Sequence, residues 1–429
     1  MTKGFEISAN WLKVPEPGPL PAVDETYCRL LISLNGVAVT KYRNEKGESG
    51  ERIVGPAYFL AEWLATNWWS IFHEPEKSDG STDRGDYPSR HWIGAARNGF
   101  ALPDLWMIPA GDEIAVFANA VKLNSARLAF ETEVDARMPL GDAKATAGRF
   151  VASVVDHLKS SALRDTELQE SWRLVTSTGP DEQLFCELIG ALGLSPYEEH
   201  EKIEAALDAS MDELDPRMVR DLCEAATPET FVGLTGLVRQ AFAALRESPA
   251  LDFAELGERP QASTSVPWKW GKGAADNLRK KLGIRGSDPA GGDALLRIIG
   301  LDPNLASSIA QNDDEQIEGA VRRENSNVRM ALVKKPNLTG RRFAATRAAF
   351  LGWGAGAQEA RLMTGARTPE QQASRAFAAE ILAPIDFIRN AAGRGPISRG
   401  RIKSIADDLS VDPRVVQHQA ENHKMALAG

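Results

Sequence analysis

Nothing in the 429 residues is long and apolar enough to cross a bilayer, and the opening MTKGFEISANWLKVPEPGPLP lacks the basic-then-apolar layout of a signal peptide. A membrane partner is therefore not expected, and the chain is expected in the cytoplasm. Cysteine is scarce: Cys28, Cys186 and Cys223 are widely spaced and form no CxxC pair, which argues against a disulfide framework and a thiolate zinc site and leaves buried thiols. Positive charge is in deficit, with 50 Lys and Arg against 59 Asp and Glu, so a nucleic acid would be repelled unless charge is segregated. No GxxxxGK[ST] loop, GxSxG elbow, HxE…CxxC set or catalytic-cysteine signature is present. The glycines of GWGAGAQEA follow a helix pattern and not a strand, which discounts dinucleotide binding.

What is present is an ordinary globular composition, 43% hydrophobic and 25% charged, enough for two or three domains with a sizeable core. Charge is segregated in part. Segment 181–220 carries eleven acidic residues against three basic ones, whereas 321–347 carries eight basic residues against Glu324 alone. The bland reading of the second is a solvated basic face.

Along the chain, YCRLLISLNGVAVTKYR sets an Asn-Gly pair between apolar-rich runs and predicts an antiparallel hairpin. AYFLAEWLATNWWSIF repeats Phe59, Leu60, Trp63, Leu64 and Trp68 at helical spacing. The polar piece 73–91 reads as a mobile loop, and EIAVFANAV as a strand. Residues 144–176 and 181–247 are helical by pattern, and a boundary is expected near 255–266. The expected organisation is an α+β, helix-rich chain: a Trp-rich antiparallel α+β domain over 1–143, a helical bundle over 144–260, a domain over 267–390 and a helix-turn-helix-like tail over 391–429.

Five indoles crowd 63–106. Trp68, Trp69, Trp92 and Trp106 are candidates for a stacking surface toward a ligand or partner, though they lack interleaved Lys or Arg, as packed core residues do. His73 and His91 flank the polar loop, but no third ligand is singled out for a metal there.

From 267 the text is more informative. PWKWGKGAADNLRKKLGI reads as a helix ended by Gly283, and PAGGDALLRIIGLDPN as a second helix running into Gly300. Strand-like NVRMALVKK follows. Asn337 and Gly340 then turn into the amphipathic helix RRFAATRAAFLGW. Thr368, Pro369 and Gln371 open TPEQQASRAFAAEILAP as N-cap, N1 and N3 of a capping box, and Pro384 ends it.

This order resembles the ImmA/IrrE family of zinc metallopeptidases over residues 267–425. AADNLRKKLGIRGSDPAGGDALLRIIGL matches the family's preamble, RRFAATRAAFL falls in frame with its active-site helix, and EQQASRAFAAEILAP matches its downstream helix. The resemblance implies a zincin-like fold and, in active members, two His four residues apart on one helical face with a Glu after the first. Those places fall here on Arg347, Ala348 and Leu351. Arg has no lone pair to give, Ala no base and Leu no donor atom. The family's acidic third ligand corresponds to Glu370 or to Gln372, and one carboxylate would not hold zinc. Zinc is therefore expected to be absent and no cofactor is expected. Arg347 is expected either to pair with Glu370 or Glu380 where the ion would sit, or to face solvent on a helix whose core face is Phe343, Phe350 and Leu351.

The tail ISRGRIKSIADDLSVDPRVVQHQAENH has Ile402, Ile405, Ala406 and Leu409 before a turn and Val415 and Val416 after it, and resembles the helix-turn-helix-like ending of the same family. Its second helix offers Arg414, Gln417, His418, Gln419 and Asn422, but 391–429 holds only six basic against four acidic residues. Three functions follow from these patterns. The first is a catalytically inactive ImmA/IrrE-like regulatory or defence-associated protein that binds a protein partner; the setting is implied by active relatives that cleave helix-turn-helix repressors. The second is a nucleic-acid-binding regulator of DNA or RNA, using Arg322, Arg323, Lys334, Lys335, Arg341 and Arg342 with Arg414 and Gln417. The third is a metallopeptidase whose site is assembled elsewhere, around His73 and His91.

Overall fold

In the computed structural model the Asn-Gly pair sits where the hairpin requires it. Asn35 and Gly36 both take positive φ, 52° and 79°, the backbone that a two-residue turn between twisted strands demands. Strand Tyr27–Leu34 returns as Val37–Ala38, with Leu34 opposite Val37. The structure describes residues 4–14, 18–77, 86–259, 261, 266–289, 291–302, 307–309 and 316–428. Positions 78–85 of the expected loop, and 260 and 262–265 of the expected linker, lie outside the described residues. The described end of that loop is a short helix, Tyr87–His91.

The molecule is α+β and helix-rich, with sheets that are antiparallel except for one strand. It divides into two compact units, 1–200 and 201–429.

In the first unit, strand Tyr27–Leu34 pairs on one side with Phe5–Trp11 and on the other with Val37–Ala38 and Ile53–Pro56. A second sheet runs Val134–Pro139, Glu113–Asn119, Asp104–Ala110. Helix Leu140–Ser160 lays Ala143, Ala147, Phe150 and Val154, at helical spacing, into the core formed by these strands.

The second unit holds a sheet ordered Leu251–Asp252, Asn327–Val333, Ile317–Glu324, Ala360–Thr364, with Ser307–Ile309 parallel to Asn327–Val333. Helix Leu338–Gly354 packs on it, and helices Pro267–Lys281 and Pro369–Leu382 lie side by side. Gly271 permits that contact, since a Cβ there would lie 2.1 Å from the carbonyl oxygen of Ala373. Helices Arg399–Leu409 and Pro413–Asn422 form the expected helix, turn and helix, with Ile402, Ile405, Leu409 and Val416 in one cluster.

Two expectations change. The helices foreseen as one bundle over 144–260 are split between the units. Leu140–Ser160, Glu167–Ser177 and Pro180–Ala191 belong with the N-terminal strands, and Glu201–Glu213, Pro216–Ala225 and Pro228–Glu247 with the C-terminal sheet. Carboxylates explain the second group. Strand Ala360–Thr364 is an edge whose outward amides need acceptors, and Asp215 and Asp221 of the earlier helices take those of Ala360 (3.1 Å) and Leu362 (2.9 Å). Helix Leu338–Gly354, read as amphipathic, is instead buried on every side from Ala344 to Trp353. Asn337 caps it by accepting from the Gly340 amide at 2.8 Å, so Gly340 lies in its first turn and not in a preceding loop.

Candidate functional site

Among the described residues Arg347 is the largest side chain that is fully enclosed, 1% exposed, at the middle of helix Leu338–Gly354. Four of its five N–H donors are engaged. Nε donates to Ser374 Oγ at 3.2 Å, Nη1 to Glu318, and Nη2 to the Thr364 carbonyl at 2.9 Å and Gln371 Oε1 at 3.1 Å. The expected partners Glu370 and Glu380 are not the ones used, and the solvent-facing alternative does not hold either.

Glu318 reaches Arg347 through a β-bulge. Between Ile317 opposite Thr364 and Gly319 opposite Met363, Glu318 is the extra residue, and a bulge of this kind re-aims the side chain it inserts. Nothing in QIEGAVRRE announces it.

Gln371 serves three groups at once. Its Oε1 accepts from Arg347 and from the Thr364 amide (3.1 Å), while its Nε2 donates to the Leu362 carbonyl (2.7 Å). It thus pairs with the edge strand as a neighbouring strand would. This is why the capping box foreseen at Thr368 does not form: the N3 side chain is drawn away, and Thr368 is an N-cap without a side-chain hydrogen bond.

The other positions matched to the metal site are dispersed. Ala348 and Leu351 are core residues, 0% and 1% exposed. Glu370 bonds Arg361 and, at 2.7 Å, Arg259. Burial alone would raise its carboxyl, but those two guanidiniums hold it at about 2. Arg361 also grips Asp221 through two hydrogen bonds of 2.8 and 2.9 Å. Glu380 accepts from Gln419 (2.9 Å) and lies 3.8 Å from Lys272. Gln372 donates to the Arg367 carbonyl.

The donor set around Arg347 does not suit zinc: a guanidinium, a methyl and an isobutyl group offer no lone pair, and Glu318 is already bonded. Among the described residues no three His, Cys, Asp or Glu side chains converge as a metal would need. His91, fully buried, spends one ring nitrogen on the Met107 carbonyl (2.8 Å) and the other on Glu74 (3.1 Å). His73 sets its Nε2 2.9 Å from the Lys144 ammonium.

A groove of about 760 Å³ opens beside Arg347. Helix 338–354 contributes Phe343 and Ala344, helix 369–382 Gln372, Arg375, Ala376 and Ala379, and helix 413–422 Arg414, Val415 and His418. Glu318 and Lys335 also line it. Among the described residues Arg375 donates only to carbonyls, Ala366 at 2.7 Å and Thr364 at 3.3 Å. Burial, with the charge of Arg347 added, lowers its pKa to about 10.

Of the basic residues singled out in the sequence, Lys335 and Arg414 come together in this groove and the others do not. Arg322 lies 3.7 Å from Glu324 and over the Phe242 ring. Arg323 donates to the Trp353 and Ala355 carbonyls, closing the end of helix 338–354. Arg342 pairs with Asp293 at 2.8 Å, Arg341 donates to the Pro336 carbonyl at 3.3 Å, and Lys334 is exposed. Gln417 is exposed and bonds Glu421, whereas Gln419 is buried against Glu380 and the Ala383 carbonyl.

The indoles of the first unit are mostly packing. Trp68 is buried edge-on to Trp172 and Phe72, and Trp69 is buried with its N–H on the Tyr197 hydroxyl at 2.8 Å. Trp92 and Trp106 are half-buried, stacked 6.1 Å apart, and share Asp104 as acceptor. Sequence reasoning missed Glu318, Ser374 and Arg375. A basic residue inside the alanine-rich QQASRAFAA is the one signal that pointed to Arg375.

No family model, curated protein or solved structure matches this chain.

Proposed function

We propose that this chain is a catalytically inactive, ImmA/IrrE-like regulatory protein that binds a protein partner, with the groove beside helix 338–354 as the place of binding. The Arg347 cradle carries the reading. At the position that the resemblance assigns to the first metal ligand stands a cation whose N–H groups are bonded to Glu318, Ser374, Gln371 and the Thr364 carbonyl. A guanidinium so held repels a second cation and cannot serve as a base. The groove lies next to it, lined by apolar side chains such as Phe343, Val411 and Val415 interspersed with polar and charged ones such as Lys335, Arg375 and Arg414, a make-up suited to a peptide. A regulatory or defence-associated setting is the one the resemblance supports.

Metal analysis of full-length protein purified without chelator tests this. The wild type should carry far less than one zinc per chain, and Arg347→His with Ala348→Glu and Leu351→His should raise the zinc content. Stoichiometric zinc in the wild type, lost on His73→Ala, would return the chain to the hydrolases.

A further inference from the structure

We infer that the groove of the second unit takes an acidic peptide segment, one carboxylate of which sits against Arg375 while a neighbouring apolar side chain lies on Phe343 and Val415. The inference rests on the binding reading above and names the chemistry of the partner.

Charge is the first ground. Glu318 and Arg375 line the groove, and among the described residues Glu318 is the one carboxylate that serves both Arg375 and the buried Arg347 behind it, which it bonds. One cation is left over, and among the described residues Arg375 forms no ion pair. A guanidinium drawn from water without a counter-charge is costly, and an incoming carboxylate removes that cost. Lys335 and Arg414, farther along the groove, likewise form no ion pair among the described residues. The other acid of the lining, Asp412, caps its own helix by accepting from the Arg414 amide at 2.9 Å.

Shape is the second ground. At about 760 Å³ the space far exceeds one small anion, and Ala344, Ala376 and Ala379 leave its floor free of bulk. A wall that mixes Phe343, Val411 and Val415 with Lys335, Arg375 and Arg414 suits a chain that alternates carboxylates with aliphatic or aromatic side chains. It suits a nucleic acid poorly, because Arg342, Arg322 and Arg323 outside the groove are spent on Asp293, Glu324 and backbone carbonyls, which leaves exposed Lys334 too little company to make a stripe for phosphates.

Selection of short random peptides displayed against the immobilised full chain tests the inference. Recovered peptides should be enriched in Asp or Glu beside Leu, Ile or Phe. A fluorescein-labelled winner should lose roughly tenfold or more in affinity when its acids become amides, and similarly on Arg375→Gln, as a charge-assisted bond into a desolvated site implies. Arg414→Glu, at an exposed position on the groove wall, keeps the test valid should Arg375→Gln fold poorly, and should weaken binding roughly threefold or more. Absence of binders, binders without acidic bias, or undiminished affinity in the folded variants would overturn the inference. So would a labelled single-stranded oligonucleotide that binds more tightly than the peptide and is lost in the same variants. Zinc found at stoichiometry with peptide binding intact would sink the non-catalytic reading alone; failed peptide binding without zinc would sink this inference alone.

Discussion

In the first unit Glu74, 4% exposed at its side chain, is held by two hydrogen bonds of 2.7 Å from Arg90 and one contact of 3.1 Å from His91, and His91 turns its other nitrogen to a carbonyl. In the second unit Arg347 is held as fully, but the carboxylate that holds it also faces Arg375. Both clusters bury charge. The first balances its buried carboxylate against both Arg90 and His91; the second leaves a cation at the wall of a groove. A closed cluster fixes a local structure, whereas a cluster with charge left over is poised for a ligand.

The contrast can be broken most severely at Glu74. Glu74→Ala leaves Arg90 and His91 without their carboxylate and should destabilise the first unit by about 3–5 kcal/mol, measured by urea denaturation. The same group gives a pH signature. Burial would raise the Glu74 carboxyl, but hydrogen bonds from Arg90 and His91 hold it at about 2, below its ordinary 4.5. Its folded pKa is depressed, so its contribution is complete above about 4.5 and is lost as pH falls from there toward 2. The stability gap between wild type and Glu74→Gln should therefore narrow between pH 5 and pH 3, and a gap that stays constant would refute the assignment.

In the second unit the prediction is an asymmetry between two arginines. Arg347→Met strands Glu318 and should cost about 2 kcal/mol or more, while Arg375→Met, which removes an uncompensated cation, should stay within about 1 kcal/mol of wild type. Equal losses would mean that Arg375 is as structural as Arg347. Ser374→Ala is the mildest probe. It removes one acceptor from Arg347 and should cost about 1 kcal/mol, with the groove unchanged.

Local patterns were legible and long-range pairings were not. Asn35-Gly36 specifies its turn through backbone preferences of two residues, and Gly283 ends its helix at φ 67° for the same reason. That Arg347, Ala348 and Leu351 offer a metal no donor atom needs only the residue types. The environment of Arg347 was hidden because its partner Glu318 comes from a bulged strand 29 residues earlier. Gln371 satisfied a local rule for helix starts and was diverted by a tertiary one. Strand Ala360–Thr364, buried along its whole length, lacks the alternation that marks a half-exposed strand, and it went unread.

That strand also limits how the molecule can be dissected. Asp215, Asp221 and Gln371 occupy the outward amides of Ala360, Leu362 and Thr364, so no further strand can add to this edge, from a partner or from another copy. A fragment cut at 267, at the start of helix Pro267–Lys281, would lose both aspartates along with Arg259. It would present a naked ribbon rim and an Arg361 stripped of Asp221 and left with Glu370, and would be prone to clump. A workable excision begins near 201, which makes the acidic helices before residue 267 part of the same folding piece.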